Sequence, residues 1–435
     1  MRYCLSIIRF RCIVLVCLLF CTFIEVQAQV DRDSRLIVDT LSSTFFAGRG
    51  YVDDGVIKAA EFIRNDFDAI KLSKFGNDYF QYFRVSVNTF PGELNLKVNG
   101  KNLEPGKDFL IDPSCPSFNG ELETFTIRID KLYNDKIFES ALKKSKGKFL
   151  VIDQRNYKPN KSDKDKIISN RLTYLKYDKK AENAGTIIIT SEKLSWYPSA
   201  VQTKKPVVII NAPLQLNKLK TMSLDVEANW DKGYETSNVI GLVKGTEYPD
   251  SFLVVIAHFD HLGKMGKEIY FPGANDNASG IAMLLNMARY YSSNPGKYTM
   301  IFIALSAEEL GLLGARYFTD HPLFDLSAIK FLVNFDLAGT GDEGIKVVNA
   351  TVFPEEFEKL KTVNTQKGYL SAVQPRGEAC NSDHCIFYEK KVPCFYIYTL
   401  GGIKAYHDIY DKSETLPLAE VKDFTLLMID FFNSF

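Results

Sequence analysis

The sequence has no excess of charge of either sign. Lys plus Arg and Asp plus Glu each number 53 among the 435 residues, so the chain offers no surplus of positive charge to phosphates or anionic lipid. It also shows no internal repeat and no low-complexity tract. We therefore expect no nucleic-acid partner.

Apolar runs long enough to cross a membrane are also missing. The most apolar segment follows three arginines and extends from Cys12 to Ile24, short of the roughly 18 to 20 apolar residues that span a bilayer. It leads into Val26-Gln27-Ala28, a small-residue pattern typical of signal-peptide cleavage. We predict that residues 1–28 are a signal peptide, that the chain is exported, and that its mature part has no transmembrane segment. A lipid on Cys21 is the open alternative, in which the chain would be tethered to a surface.

Cysteine is scarce after residue 28. The four cysteines that remain are not spaced as in a zinc finger; they are Cys115, Cys380, Cys385 and Cys394. In an oxidising compartment the last three could include one disulfide. Unpaired buried thiols are the alternative, because spacing alone does not establish disulfide geometry.

The length of the chain predicts a main domain and a second, smaller module. From Val30 to about Leu72 apolar residues recur at helical spacing, with a turn at Ala47–Gly50. We therefore predict that residues 29–88 are the helical start of the main domain. Residues 89–232 contain short β-rich runs between turns and predict a β-rich inserted domain. Residues 233–435 alternate between strand and helix patterns. This alternation predicts an α/β catalytic domain with a mostly parallel mixed sheet between helices.

Polar residues follow the predicted strands of this last region. We expect strands at 252–257, 299–305, 329–335 and 393–399, and helices near 278–292, 310–319, 354–367 and 418–433. His258 follows the first strand, the pair Glu308-Glu309 follows the second, and Asp336 follows the third. The carboxyl ends of strands in an open α/β sheet are where ligands bind. These side chains are therefore candidates for one common site.

Two further polar residues complete a candidate metal site. Asp276 lies in a small-residue loop that opens a helix, and His407 lies in the loop after the last strand. Two imidazoles and three carboxylates suit zinc, with cobalt or manganese as possible substitutes. Five ligands exceed one tetrahedral zinc but suit two ions about 3.5 to 4 Å apart that share a carboxylate. We predict two zinc ions per chain with Asp276 as the bridge; the ligands are His258, Asp276, Glu309, Asp336 and His407.

The pair Glu308-Glu309 allows a division of roles, because neighbouring side chains at a strand end point in different directions. We predict that Glu309 binds metal and that Glu308 is the general base. Asp260 is predicted to hold the imidazole of His258 and completes the catalytic set.

Three other histidines are not needed in the ligand set. We expect loop or surface roles for His261 and His321, and a supporting or structural role for His384.

The motifs resemble metallopeptidase family 28, the zinc aminopeptidases, whose relatives include glutamate carboxypeptidases and glutaminyl cyclases. The matching segments occur in the order of the family; they are 257–263, 273–280, 307–314, 334–336, 382–384 and 406–407. The resemblance covers residues 237–435, and residues 31–72 look like the usual lead-in of the family. The insert is similar to a protease-associated domain, which suggests a role in gating or substrate capture.

The resemblance implies a ligand set for each zinc ion. One ion would be held by Asp276, Glu309 and His407, and the other by Asp276, His258 and Asp336. It also implies that Glu308 activates the attacking water and that the bond between Asp276 and Asn277 is cis.

One feature departs from the family. Some bacterial aminopeptidases carry an oxyanion-donating tyrosine shortly before the Ser-Asp-His segment, and residues 374–381 contain none. Tyr396, Tyr398 and Tyr406 stay open as substitutes.

The expected function is that of an exported di-zinc aminopeptidase acting on peptides, and three alternatives stay open. A carboxypeptidase or dipeptidase would need a basic group for the substrate carboxylate, for which Arg376 is the candidate. A glutaminyl cyclase would hold a single zinc, and cyclases tend to have Trp where this chain has Tyr406. A non-catalytic binding protein is the third alternative.

Overall fold

The computed structural model describes residues 30–435. The predicted signal peptide lies outside these residues. Across 30–435, none of the helices combines the length and the apolar character needed to cross a membrane.

The main sheet has eight strands and is mostly parallel, as predicted. Its strands are β1 (Phe80–Thr89), β10 (Asn229–Val243), β11 (Tyr248–His258), β14 (Tyr298–Leu305), β15 (Ile329–Phe335), β16 (Ile345–Val348), β17 (Val373–Pro375) and β18 (Cys394–Thr399). They follow the order β1-β10-β14-β11-β15-β18-β16-β17. The four central strands, β14, β11, β15 and β18, run parallel, whereas β1 and β10 pair antiparallel at one edge.

Helices cover both faces of this sheet. The helices of the main domain are α1 (residues 30–41), α2 (Gly55–Ala69), α5 (Ser279–Ser293), α6 (Leu313–Asp320), α7 (Pro354–Lys367), α8 (His384–Glu389) and α9 (Val421–Asn433). Helices α1, α2, α5, α7 and α9 pack on one face, and α6 and α8 pack on the other. The predicted helices and strands of residues 233–435 are present, with boundaries shifted by a few residues at most.

The packing of strand β11 explains the continuous apolar run Leu253–Ala257 in its sequence. Leu253, Val255 and Ala257 contribute to the core on one face, and Val254 and Ile256 contribute to the core on the other. Successive side chains of a strand point to opposite faces, so a strand covered on both faces has no polar alternation. The first polar residue after the buried run is His258, where the strand ends.

Residues 94–226 contain a second eight-stranded sheet, in the order β3-β2-β9-β5-β6-β7-β8-β4. Its strands are β2 (Leu94–Val98), β3 (Lys101–Leu103), β4 (Phe109–Ile111), β5 (Phe118–Arg128), β6 (Phe149–Asp153), β7 (Gly185–Ile189), β8 (Val207–Ile210) and β9 (Thr221–Val226). A separate two-stranded sheet pairs β12 (Lys264–Met265) with β13 (Ile269–Tyr270). The β-rich character predicted for this region is present.

Two helices in this region were not predicted from the sequence. They are α3 (Asp135–Lys144) and α4 (Asp163–Tyr177). Only Ile168 and Leu175 of α4 are buried, so the apolar spacing that marks a helix is weak. The signal that was present is the capping box formed by Ser162 and Asp165.

The segment that follows β11 packs into the core of the second sheet. Leu262, Met265 and Phe271 follow β11 but pack into the core of the second sheet. Trp196 stacks on Phe271 with ring centroids 5.0 Å apart and donates its backbone N–H to the carbonyl of His407 at 2.9 Å. The second sheet therefore contacts the loop that carries a predicted metal ligand.

Arg49 fastens the lead-in segment to the main domain. It ends the short 3-10 helix Thr44–Arg49, which lies between α1 and α2 at the predicted turn, and its side chain is fully buried. The guanidinium donates only to backbone carbonyls; they are those of Leu41, Phe259, Pro272, Gly273 and Asp276. Burial lowers its pKa to about 10, and nearby acidic groups, Asp411 foremost, oppose the effect.

We expect Arg49→Leu to lower the free energy of unfolding by about 3–5 kcal/mol, because it leaves buried carbonyls without a donor. Chemical denaturation measures the difference. Arg35→Leu is the matched control, since Arg35 also donates to backbone carbonyls but its side chain is 38% exposed. The control should cost about 1 kcal/mol or less. Equal losses in the two variants would contradict the role given to Arg49.

Candidate metal centre

The ends of three adjacent parallel strands bring the predicted site residues to one edge of the main sheet. His258 is the last residue of β11, Glu308 and Glu309 follow β14, and Asp336 directly follows β15. Parallel neighbours end at the same edge, so these side chains converge although they are far apart in sequence.

Asp276 lies between two histidines. Its Oδ1 is 3.5 Å from Nε2 of His258, and its Oδ2 is 2.9 Å from Nε2 of His407. His258 Nε2 is also 3.5 Å from Oδ1 of Asp336, and His407 Nε2 is 3.3 Å from Oε2 of Glu309. The structure thus brings all five predicted ligands together, in two groups that meet at Asp276.

The spacing of these atoms fits zinc. Two ligand atoms bound tetrahedrally at about 2.0–2.1 Å from one zinc lie about 3.3 Å apart. The four nitrogen–oxygen separations range from 2.9 to 3.5 Å. The donors are imidazole nitrogens and carboxylate oxygens, which zinc accepts. The residues present therefore fit zinc in chemistry and in spacing.

The loop that carries Asp276 is held by its backbone. The peptide bond between Asp276 and Asn277 is cis, which confirms the implication of the family resemblance. The carboxylate of Asp411 accepts the backbone N–H groups of Asn275 and Asp276, each at 2.9 Å. The sequence alone does not indicate this role of Asp411, because no local pattern links residues 135 positions apart.

Carboxyl groups crowd this edge of the sheet. Burial, reinforced by neighbouring acids, raises the pKa of Glu308 and of Glu309 well above the ordinary range. Burial also raises the pKa of Asp383 to about 8, and neither carboxylate oxygen of Asp383 has a hydrogen-bond partner. Burial acts to raise the pKa of Asp276 too, but the contact with His407 and the charges of the neighbouring histidines outweigh it and lower this pKa. Such a cluster favours bound cations.

Asp260 contacts both sides of the site. Its carboxylate accepts the backbone N–H groups of Glu308 at 3.0 Å and Glu309 at 3.3 Å, so it orients the Glu308-Glu309 turn. His258 Nδ1 lies 3.1 Å from the backbone oxygen of Asp260 but 3.9 Å from its carboxylate. The main-chain oxygen, rather than the predicted carboxylate, therefore makes the hydrogen bond to this imidazole.

The observed position of His261 differs from the expected one. It lies in a loop, but it is fully buried and its Nδ1 is 2.8 Å from Oε1 of Glu309, so the expected surface role is wrong. The available signal was its position three residues after His258, next to the strand end. His321 is exposed, as expected, and stacks on Tyr317. His384 contacts the carbonyl of Ala379 at 2.8 Å, a structural contact.

Other residues support the outer ligands. Ser382 donates its hydroxyl to Oδ2 of Asp336 at 2.9 Å. The ring of Tyr406 stacks on the imidazole of His407, with ring centroids 3.9 Å apart. Tyr197, which lies between β7 and β8, contacts the same imidazole edge-on, with centroids 4.4 Å apart. Cys380 and Cys385 form a disulfide around the Ser382 segment, which settles the open question of their pairing. Cys115 and Cys394 are free and buried.

A cavity of about 250 Å³ opens onto the site. Its lining combines predicted site residues with aromatic and polar side chains; these are His258, Asp276, Glu308, Asp336, Leu337, Arg376, Asn381, Tyr396, Tyr398, Tyr406 and His407. The three tyrosines left open as oxyanion donors all border this cavity.

Comparison with known sequences finds a family match in the C-terminal part of the chain. Residues 238–432 match the model of peptidase family M28. Aminopeptidase YwaD of Bacillus subtilis is 32% identical over 255 residues, which cover 54% of this chain and 53% of that protein. A probable zinc metalloprotease of Pyricularia oryzae is 34% identical over 114 residues, 25% of this chain and 23% of that protein. The match thus spans about half the length of the first relative and about a quarter of the second.

Solved structures share the fold over nearly the whole chain. A zinc aminopeptidase from Bacillus subtilis aligns with a TM-score of 0.69 at 21% identity, covering 93% of this chain and 94% of that one. A peptidase M28 precursor from Shewanella amazonensis aligns with a TM-score of 0.67 at 16% identity, covering 94% and 95%. The fold and the sequence match agree: residues 238–432 match peptidase family M28 in sequence, and the chain shares its fold with solved structures of a zinc aminopeptidase and an M28 peptidase precursor.

Proposed function

We propose that the chain is an exported di-zinc exopeptidase, specifically an aminopeptidase that removes N-terminal residues from peptides. The observation that carries the proposal is the pair of ligand groups that meet at Asp276, beside a cavity that Glu308 also lines. The names of the relatives, a zinc aminopeptidase among them, support the choice of reaction. Export is inferred from the signal-peptide pattern of residues 1–28.

The ligand groups assign residues to each ion. Asp276, Glu309 and His407 would hold one zinc, and Asp276, His258 and Asp336 would hold the other. When bound, the zinc ions would supply Lewis acidity toward the scissile carbonyl and lower the pKa of the attacking water.

Glu308 is the proposed proton carrier. It lies with His258 and Asp336 in one group of potential ligands, borders the cavity, and is not needed to complete either ligand set. Its carboxylate would take a proton from the attacking water and return it to the leaving amine. Asp260 fixes the position of Glu308 through the backbone N–H.

The substrate test is hydrolysis of aminoacyl-p-nitroanilides by the purified protein with and without a chelator. The proposal predicts p-nitroaniline release that the chelator stops and added zinc restores. Release that survives exhaustive chelation would contradict a metal-dependent reaction. No release from any anilide by the zinc-loaded protein would contradict the aminopeptidase assignment.

We expect Glu308→Gln to lower kcat by about 10²- to 10⁴-fold, because the amide cannot accept the proton of the attacking water. Zinc content should stay at the wild-type value, since Glu308 is not assigned as a ligand. Glu343→Gln, at an exposed position, is the control and should keep wild-type activity. Turnover of Glu308→Gln close to that of wild type would remove Glu308 from its role.

His261 should strengthen zinc binding through Glu309. Because its Nδ1 contacts Oε1 of Glu309, His261→Ala should weaken zinc binding by about 10- to 100-fold, the usual range for a residue that orients a metal ligand. Competition with a chromogenic chelator measures the affinity, and His321→Ala is the control at an exposed histidine. Unchanged affinity in His261→Ala, with the fold verified by circular dichroism, would refute the orienting role.

A further inference from the structure

We propose that Arg376 recognises a carboxylate of the substrate, so that this site favours short peptides with a free carboxylate close to the scissile bond. The inference rests on the proposed function and adds a substrate class to it.

The guanidinium of Arg376 is available to a ligand. It borders the same cavity as His258, Asp276 and Glu308. Its single side-chain hydrogen bond is from Nη1 to the hydroxyl of Tyr398 at 3.2 Å. Among residues 30–435 no carboxylate lies within ion-pair distance of it. A cation that faces a substrate cavity without an acidic partner is a ready site for an anion.

The other basic side chains near the site already have hydrogen-bond or ion-pair partners. Arg49 uses its guanidinium donors on backbone carbonyls. Lys193 donates to the carbonyls of Lys404 and Tyr406 and pairs with Asp408 at 2.6 Å. Neither lines the cavity, and Arg376 is the one Lys or Arg that does so within the described part of the chain.

Arg376 is also held in position. Its backbone N–H donates to the carbonyl of Val347 at 2.8 Å, directly after the pairing of Val347 with Pro375 that joins β16 and β17. The disulfide between Cys380 and Cys385 constrains the segment that follows. With its backbone held, Arg376 has less conformational freedom to lose when a ligand binds.

The chemistry of the group and its place in the cavity define the ligand class. The planar guanidinium matches a carboxylate through two parallel hydrogen bonds. Arg376 lines the same cavity as Glu308, His258 and Asp276. A carboxylate bound to Arg376 would therefore lie close to the scissile bond. It can be the C-terminal carboxylate of a dipeptide or the side chain of an acidic residue.

Four peptides distinguish these two sources in the zinc-loaded full chain. The kcat/KM of Leu-Ala is compared with that of Leu-Ala-amide, and that of Glu-Ala-amide with that of Gln-Ala-amide. The proposal predicts a preference of about 10- to 100-fold for the carboxylate in at least one pair, the range expected for a charged hydrogen-bonded contact. The pair that shows it identifies a main-chain or a side-chain carboxylate.

Variants test whether Arg376 causes the preference. Arg376→Gln should bring the ratio close to one, and Arg376→Lys should keep part of it because the charge remains. Arg316→Gln, at an exposed arginine on α6, should leave the ratio as in wild type. A wild-type chain without preference in either pair, or a preference that survives in Arg376→Gln, would overturn the proposal.

A binding measurement separates this inference from the proposed function. In a Glu308→Gln background, calorimetry compares the Kd of the preferred carboxylate peptide with that of its amide counterpart. Tighter binding of the carboxylate that is lost on adding Arg376→Gln supports recognition by Arg376, even if no peptide is hydrolysed. Equal binding of both peptides contradicts it, whatever the activity. Failure of the proposed function would show instead as absent chelator-sensitive turnover of all four peptides.

Discussion

Acidic side chains are crowded and buried at the carboxyl edge of β11, β14 and β15, and groups from several other segments of the chain compensate their charge. Like charges in a poorly solvated site destabilise one another unless donors or cations compensate them. Backbone N–H groups bind Asp260 and Asp411, and the imidazoles of His258 and His407 face Asp276. The two proposed zinc ions would provide the rest of the compensation. Residues from distant parts of the chain therefore balance the charge of the site.

The insert that contains the second sheet also contacts the site. Trp196 packs on Phe271, which follows β11, and its backbone N–H binds the carbonyl of His407. Tyr197 meets the ring of the same histidine. The insert thus positions one proposed metal ligand as well as covering part of the main domain. Arg49, in the lead-in segment, holds the Asp276 loop by donating to the carbonyls of Gly273 and Asp276.

The sequence was informative where local pattern and burial coincide. Continuous apolar runs such as Leu253–Ala257 mark strands covered on both faces, and the polar residues at their ends marked the site. It was less informative for β10, whose first half is largely exposed and polar, and for α4, which buries few side chains. The burial of His261 against Glu309 and the role of Asp411 depend on tertiary contacts between distant segments. No spacing rule predicts such contacts.

The proposed site would hold two zinc ions, with the carboxylate of Asp276 as a ligand of both. Crystals of the zinc-loaded protein, measured on both sides of the zinc absorption edge, test this arrangement. We expect two anomalous peaks about 3.5 to 4 Å apart, one toward His258 and Asp336 and the other toward Glu309 and His407. A single peak in fully zinc-loaded crystals, or peaks away from Asp276, would contradict it.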